Sequence, residues 1–306
     1  MASGVEVLLF PGQGGQHAEM RDRVQRWRPD LLERAQDLIG CDPFTRLDEG
    51  THYVHPAVFC ASLAGLAGLV ETGVISDVVA AAGHSLGELA ALAAAGVISE
   101  EDALDAVILR GRLTHALAQR EPLGGMMAIM GAALAELAPV VQAHGLSVAG
   151  DNSPRQVVVA GPVSALESFS RSALAQRLEC RRLNVEGAFH SPAMAEAVPE
   201  YRAALQAIIM RPPRWLVVSS VTGSELALSE IPCRLAEGLT EPVRWRSVLA
   251  TLYDRGLRSF VEVGPGSALT GLARRTLAQV RARSVDALEL RANRSRAGTK
   301  VESAHV

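Results

Sequence analysis

A serine set between two glycines is the residue of this sequence best suited to nucleophilic chemistry. Residues 83–87 read Gly-His-Ser-Leu-Gly, the G-x-S-x-G pattern of a nucleophile elbow, in which a sharp strand-to-helix turn exposes a serine hydroxyl. The short apolar run 75–82 before it predicts a strand, and the alanine- and leucine-rich run 88–95 after it predicts a helix. The N-terminus of that helix favours negative charge beside Ser85.

An activated serine needs a base to accept its proton. The sequence has eight histidines, and His190 is the candidate because its Gly-Ala-Phe-His-Ser-Pro loop lies at a predicted domain boundary, where clefts form. His84 lies at the strand end and is expected to point away from Ser85. No aspartate between Ser85 and His190 has a convincing context for the third member of a triad. The hypothesis is therefore a Ser–His dyad whose imidazole is oriented by a backbone carbonyl.

Two further polar side chains are candidates for the same site. Arg110 lies on the second helix after the elbow, where an arginine can clamp a carboxylate through two parallel hydrogen bonds. From the residues alone, a solvent-facing arginine is the open alternative. The loop 11–16, Pro-Gly-Gln-Gly-Gly-Gln, follows a predicted buried strand and delivers Gln13 and Gln16 near a sheet end. It is not a phosphate-binding loop, since no Gly-Lys-Ser/Thr follows.

An alternation of strands and helices must position these residues. Short apolar runs predict strands, and apolar residues at helical spacing predict helices. The predicted strands of the main part cover residues 5–10, 75–82, 215–221 and 259–263. The predicted helices cover residues 18–40, 56–70, 88–95, 99–120, 192–210, 243–255 and 268–280. Residues 41–55 are expected to be irregular, and the chain is polar and arginine-rich from residue 281.

Between these elements the pattern changes to a compact β-α-β-β-α-β order, which is the ferredoxin-like arrangement. Its predicted strands and helices cover residues 126–130, 134–144, 146–149, 156–160, 164–177 and 179–185. The predicted fold class is α/β: a large α/β-hydrolase-like domain with a parallel sheet and a nucleophile elbow, plus an inserted small ferredoxin-like α+β domain. The large domain is assigned to residues 1–122 and 189–296, the small domain to 123–188, and a disordered tail to 297–306.

Composition excludes several classes of function. The chain of 306 residues has a net charge of −3, which gives no general attraction to nucleic acid or to an anionic membrane. Its four cysteines are widely spaced without a C-x-x-C pair, which indicates a reducing compartment and no metal site. The longest apolar run, 57–70, is too short to span a bilayer and predicts a buried helix. Residues 1–10 lack the basic segment of a signal peptide, so we expect a cytoplasmic protein.

Several short motifs in one order closely resemble those of the malonyl-CoA:acyl carrier protein transacylases, a family that includes the fatty-acid synthesis enzyme and the acyltransferases of polyketide synthases. The match runs over roughly residues 5 to 280. The motifs are Phe10-Pro-Gly-Gln-Gly-Gly-Gln16, Gly83-His-Ser-Leu-Gly-Glu88, Leu109-Arg-Gly111, Gly125-Met-Met-Ala-Ile129, Asp151-Asn-Ser-Pro154, Gly187-Ala-Phe-His190, Pro242-Val-Arg-Trp245 and Glu262-Val-Gly-Pro-Gly266.

The resemblance implies catalytic roles for four residues and for one main-chain carbonyl. It implies that Ser85 carries the acyl group and that His190 is the base and acid. It implies that a main-chain carbonyl just before the Pro-Val-x-Trp motif, from Gly238 or a neighbour, holds the imidazole. Gln13 and the N–H of Leu86 resemble the oxyanion hole, a donor pair of the kind that is typically worth about 2.7–4 kcal/mol per donor.

It also implies substrate-binding roles. Arg110 matches the arginine that binds the free malonyl carboxylate, and Asn152 falls in a matching motif and is expected to contact substrate. Phe189 resembles the bulky residue of malonyl-selective enzymes, where a ring beside the α-carbon leaves little space for a methyl branch. His55 is a departure, because the family usually has glutamine there, and it is expected to alter acyl preference or pH dependence.

The function implied is transfer of a malonyl group from coenzyme A to the phosphopantetheine thiol of an acyl carrier protein in fatty-acid or polyketide biosynthesis. The partners are then malonyl-CoA and an acyl carrier protein, the enzyme is expected to be a monomer, and no cofactor is needed. Because carrier proteins are acidic, a basic docking patch is expected among Arg171, Arg177, Arg181, Arg182, Arg274 and Arg275.

Three alternatives stay open at this point. The same Ser85–His190 pair serves an esterase or thioesterase, although Arg110 favours transfer of a dicarboxylic acyl group. A relative that moves a different acyl group between carrier proteins is the second alternative. A docking subunit without activity is the third, and the complete set of chemical residues speaks against it.

Overall fold

The computed structural model describes residues 5–75, 77–120, 123–175 and 177–289. Its strands are β1 Glu6–Phe10, β2 Val78–Gly83, β3 Gly124–Met130, β4 Ser147–Ser153, β5 Gln156–Pro162, β6 Glu179–Arg182, β7 Leu216–Val218, β8 Ser259–Glu262 and β9 Arg281–Ser284. Its α-helices are α1 Met20–Trp27, α2 Pro29–Ile39, α3 Thr51–Glu71, α4 Gly87–Ala94, α5 Glu100–Ala118, α6 Leu134–Ala143, α7 Val163–Ala175, α8 Val198–Gln206, α9 Ile231–Glu237, α10 Trp245–Asp254 and α11 Ala268–Thr276.

The larger sheet is parallel, and the elbow follows its strand β2, which lies beside the central strand β1. Its strand order is β7-β2-β1-β8-β9, and every pairing in it is parallel. The apolar residues of β1 are fully buried, as expected for a strand covered by helices on both faces. This sheet and its helices are the predicted α/β core.

Strand β9 was not predicted, because its sequence was interpreted only as an arginine-rich terminal stretch. It reads Arg-Ala-Arg-Ser and alternates in burial, with Ala282 and Ser284 buried and Arg281 and Arg283 more exposed. Arg283 then forms an ion pair with Glu6 at the start of β1. The period of two was therefore the overlooked signal of an edge strand.

The smaller sheet is antiparallel with the order β4-β5-β3-β6. Helices α6 and α7 bury its apolar residues, which include Ile129 and Val157, and α7 contributes Phe169 to the same cluster. Two helices on one face of this strand order make the predicted ferredoxin-like arrangement. The predicted domain boundaries remain predictions, and the tail 297–306 lies outside the described residues.

Prolines explain where the predicted helices differ from the observed ones. The predicted helix 18–40 is two helices, α1 and α2, because Pro29 opens a new helix after Arg28 takes a non-helical conformation (φ −147°). The predicted helix 192–210 begins as a 3-10 helix, Pro192–Ala197, and becomes α-helical only as α8. Helix α9 was not predicted.

Helix α3 begins at Thr51, within the stretch predicted to be irregular. The N–H of Thr51 donates to the Glu186 carboxylate at 2.6 Å, an acceptor from a distant part of the chain. By length and composition α3 could cross a membrane, but 72% of its apolar window is buried inside the protein. It is the central helix of the core, as predicted from the run 57–70, and packs against α1 and α5.

Candidate active site

The sharp turn between β2 and α4 holds Ser85 in a strained conformation. Its φ is +56°, a left-handed value that is rare for residues other than glycine and clusters at functional sites. A Cβ on Gly83 would lie 2.0 Å from the backbone of Gly87, and one on Gly87 would lie 2.1 Å from the Phe10 carbonyl oxygen. Both glycines are therefore required, and the predicted nucleophile elbow is present.

Ser85 and His190 are in hydrogen-bond contact. The serine Oγ lies 2.7 Å from the imidazole Nε2, and the imidazole Nδ1 lies 3.0 Å from the Glu241 carbonyl oxygen. Because a carbonyl only accepts, Nδ1 carries the proton and Nε2 is left to accept from the serine. The carbonyl was predicted at Gly238 or a neighbour. The structure places the contacting carbonyl on Glu241, and Gly238, which ends helix α9, adds a further backbone hydrogen bond to the imidazole.

His190 is held rigidly and kept neutral. Its backbone has φ +57°, and its N–H donates to the Leu239 carbonyl at 3.1 Å. Burial, followed by the nearby positive charge of Arg110, lowers the pKa of His190 to about 3. The imidazole is therefore in its basic, neutral form at neutral pH.

Arg110 lies beside the serine rather than in solvent. Its Nη2 donates to Ser85 Oγ at 3.0 Å, and the side chain is buried, with 7% of the residue exposed. Burial lowers the pKa of the guanidinium. Among the described residues no carboxylate forms an ion pair with it. A buried guanidinium without a carboxylate in ion-pair contact favours an anionic ligand.

A cavity of about 450 Å³ opens onto Ser85 between the two sheets. All the residues predicted to form the site line it, namely Gln13, His55, Ser85, Leu86, Arg110, Asn152, Phe189 and His190. Leu86 directly precedes α4, so its N–H belongs to the helix N-terminus, where N–H groups have no intrahelical partner. Gln16 turns back instead, accepting from the Gly14 N–H at 2.5 Å.

Two further histidines, His84 and His55, line this cavity. His84 contacts Asn152 rather than Ser85: its Nε2 lies 3.0 Å from Asn152 Oδ1. His55 is buried, and burial followed by the charges of Arg110 and His190 holds its pKa well below the usual value. His55 therefore contributes a neutral imidazole to the cavity.

Similarity to known proteins in sequence and fold identifies the family. Residues 31–301 match the family model described as the acyl transferase domain. This chain belongs to the acyl transferase domain family. BaeC of Bacillus velezensis, a polyketide biosynthesis malonyl CoA-acyl carrier protein transacylase, is 34% identical to this acyl transferase over 88% of the chain and 96% of its own length. MCAT of Mycobacterium tuberculosis has a TM-score of 0.84 at 32% identity, covering 92% of this chain and 96% of its own.

Larger relatives contain a matching part. The type I polyketide synthase Pks15/1 of Mycobacterium marinum, named for phenolphthiocerol synthesis, is 34% identical over 91% of this acyl transferase but matches over only 14% of its own length. Across the larger polyketide proteins that it matches first, the chain spans between 4% and 24% of their length.

Sequence reasoning missed residues that contact the site through tertiary structure. Glu241 contributes only a carbonyl, which carries no residue-type signal. Glu88 was quoted within the elbow motif but given no role, although it is buried with 2% exposed. Tyr201 on α8 was not singled out. In the part of the chain that the structure describes, no group of three or more histidine, cysteine or acidic residues could hold a metal ion.

Proposed function

We propose that this acyl transferase moves a malonyl group from coenzyme A to the phosphopantetheine thiol of an acyl carrier protein through an ester on Ser85. The observation that carries the proposal is the position of Arg110. Its Nη2 lies 3.0 Å from the serine Oγ, while no carboxylate among the described residues lies within ion-pair distance of the guanidinium. When a malonyl group is esterified to Ser85, its free carboxylate supplies this ion-pair partner to Arg110.

In the first half of the cycle, Ser85 Oγ attacks the thioester carbonyl as His190 Nε2 accepts the hydroxyl proton. The oxyanion accepts hydrogen bonds from the Gln13 side chain and the Leu86 N–H, in a site where such donors stabilise the transition state by about 2.7–4 kcal/mol each. The carbon–sulfur bond then breaks, and the imidazolium returns the proton to the leaving thiolate. Coenzyme A departs and malonyl-Ser85 remains.

The second half reverses these roles. His190 accepts the proton of the phosphopantetheine thiol, and the thiolate attacks the ester carbonyl. The bond to Ser85 Oγ breaks, and the imidazolium returns the proton to the serine. This is a ping-pong cycle that uses no metal or redox cofactor. Phe189 borders the acyl pocket and leaves little room for a branched α-carbon, and Asn152 and His55 are proposed to contact the substrate.

The setting of the enzyme is proposed from the same features. Serine, base, arginine and oxyanion donors all come from one chain, which supports action as a monomer. The four cysteines are free, which fits a reducing cytoplasm. The six arginines proposed as the carrier docking patch are all exposed, and Arg275 lies at the cavity. The matched relatives support fatty-acid or polyketide biosynthesis as the pathway.

The test is acyl loading from a panel of coenzyme A thioesters, read by intact mass. Malonyl-CoA is expected to add one malonyl group to the parent protein and none to Ser85→Ala. Adding acyl carrier protein then moves that mass to the carrier. Rapid release of free malonate without carrier would identify a hydrolase and overturn the proposal. Equal loading of acetyl and malonyl groups would refute the role of Arg110.

A further inference from the structure

A second, much smaller cavity adjoins Ser85 and Arg110 and is separate from the substrate cavity. Its volume is about 10 Å³, and it is lined by Ser85, Glu88, Leu89, Arg110, Tyr201, Ser220, Arg234, Leu235 and Gly238. A volume of roughly 10–15 Å³ is what one buried water molecule requires. The lining is unusually polar for a cavity in the core of a domain, so its contents have to be accounted for.

Four buried polar atoms around this cavity have no hydrogen-bond partner among the described residues. They are Glu88 Oε1, Arg110 Nη1, Tyr201 Oη and Arg234 Nε. Three of these residues are almost fully buried, with 2%, 7% and 1% exposed for Glu88, Arg110 and Tyr201. An unpaired polar group at such a depth costs about 1–3 kcal/mol. Four of them at one place therefore point to a shared ligand.

Several other polar atoms of these side chains are already bonded. Glu88 Oε2 accepts from the Ser220 N–H at 3.1 Å and from its hydroxyl. Arg234 donates its two terminal nitrogens to Glu237 and Glu230, so only its Nε is left over. Arg110 donates Nη2 to Ser85. These hydrogen bonds fix the side chains of Glu88, Arg110 and Arg234, and with them the positions of their unpaired atoms.

We infer that this cavity is a binding site for one structural water molecule, which joins Glu88 and Tyr201 to the guanidinium of Arg110. The donor count matches water atom for atom. Arg110 Nη1 and Arg234 Nε are donors, and they satisfy the two lone pairs of the water oxygen. Glu88 Oε1 and Tyr201 Oη accept its two hydrogens. An anion such as chloride accepts from both arginines but leaves the Glu88 oxygen without a donor.

The water gives Glu88 and Tyr201 a function as positioning residues. Arg110 presents Nη2 to Ser85 and Nη1 to the water, so the two contacts together fix the plane of its guanidinium. That plane decides whether a carboxylate can make two parallel hydrogen bonds with it. This inference rests on the proposed function, because it assigns to the water the orientation of the arginine that is proposed to bind malonyl.

Two variants test the water site. Tyr201→Phe removes one acceptor, and Glu88→Gln keeps an oxygen for Ser220 while placing an amide donor against the water. Each is expected to raise the KM for malonyl-CoA in Ser85 acylation about tenfold, because each removes one of the hydrogen bonds that hold the water against Arg110. The rate with acetyl-CoA, which has no carboxylate for Arg110, is expected to change less than about twofold. Tyr253→Phe, on α10, is the matched control.

The structural readout is independent of activity. A high-resolution crystal structure of the parent protein is expected to contain a water within hydrogen-bond distance of all four atoms, and Tyr201→Phe is expected to lose or displace it. A dry cavity in the parent overturns the inference, as does an equal loss with both thioesters. Failure of the parent to form malonyl-Ser85 would refute the proposed function and leave the crystallographic water test standing.

Discussion

Arg110 is the residue on which the choice of acyl group is expected to depend. Replacing it with glutamine removes the positive charge while keeping a hydrogen-bond donor beside Ser85. Loss of a charged hydrogen bond costs about 1.5–3 kcal/mol, so kcat/KM for malonyl-CoA is expected to fall roughly 10- to 150-fold. The competition between malonyl-CoA and acetyl-CoA for Ser85, read by intact mass, measures the change in selectivity.

The neighbouring Arg112 provides the control. It lies on the same helix, α5, but is exposed, so Arg112→Gln is expected to leave both thioesters unaffected. If Arg110→Gln slowed acylation by both thioesters equally, the arginine would act on the serine or the base rather than on the carboxylate.

The protonation of His190 leads to a prediction about pH. Its pKa is lowered to about 3 by burial and then by Arg110, so the imidazole is a neutral base at every pH well above that value. The rate of Ser85 acylation by acetyl-CoA is therefore expected to be flat from about pH 5 to 8, without the step near 6.5 of an ordinary histidine. Single-turnover mass spectrometry across this range makes the measurement.

Removing the positive charge of Arg110 tests the direction of the His190 pKa shift. Arg110→Gln is expected to raise the pKa of His190 and move any loss of activity to higher pH.

The lowered pKa of His190 also affects stability. Between about pH 3 and 6.5 the unfolded chain binds more protons than the native one, because its histidine has an ordinary pKa. This group therefore makes folding stability rise with pH across that window. A midpoint near pH 6.5 in the acylation rate of the parent protein would contradict the lowered pKa of His190.

How much of the site was predictable differs from residue to residue. Ser85 has a local sequence signal, since its two glycines and flanking elements are consecutive. His190 was a candidate by loop position, and its contact with Ser85 needed the fold. Arg110 was ambiguous from its own helix and became meaningful only through the family resemblance. Tyr201 and the Glu241 carbonyl have no local signal, because their contacts with the site come from elements far apart in the chain.

At the scale of elements, the elbow is expected to tolerate no side chain at its first glycine. A Cβ on Gly83 would lie 2.0–2.1 Å from three backbone atoms of α4, and backbone cannot shift cheaply. Gly83→Ala is expected to lower the unfolding temperature by several degrees and to abolish acylation of Ser85. Thermal unfolding and intact mass after malonyl-CoA treatment check both effects.

Gly271 on α11 is the matched control. Its added Cβ would meet only the end of the flexible Arg275 side chain, at 3.2 Å. Alanine also has the better helix propensity, by up to about 1 kcal/mol, so Gly271→Ala is expected to be neutral or stabilising. Equal destabilisation by the two substitutions would mean that the elbow imposes no special constraint.

Element type was more predictable than element boundaries. The predicted N-terminus of α5 is confirmed, because Ser99 is a local signal: its hydroxyl accepts from the Asp102 N–H at 3.0 Å. The start of α3 was wrong because it depends on Glu186, whose carboxylate receives the Thr51 N–H from a distant loop. Signals within one turn of a helix can be predicted from sequence, whereas a cap supplied by another element cannot.

At the scale of the whole molecule, the site depends on the junction between the small sheet and the segment that precedes α10. Strand β4 of the small sheet pairs with Val243, just before α10: the Asp151 N–H donates to the Val243 carbonyl, and the Val243 N–H donates to the Ala149 carbonyl, at 2.8 and 2.9 Å. Asp151 also accepts from Arg246 at 2.9 Å. Asn152, which follows Asp151, is thereby fixed against His84 in the cavity wall.

Breaking this junction is expected to affect stability and catalysis together. Arg246→Ala leaves the Asp151 carboxylate, which is 6% exposed, without its ion pair. The expected cost is about 1–3 kcal/mol, toward the low end because Arg246 is 44% exposed. Asp151→Asn in the same background removes the unpaired charge and is expected to recover part of the loss, which a double-mutant cycle on thermal unfolding measures.

Arg255→Ala is the control. It breaks the exposed pair with Glu225 and is expected to cost under about 1 kcal/mol. If Arg246→Ala cost no more than this control and left acylation of Ser85 unchanged, the junction would not position the cavity wall.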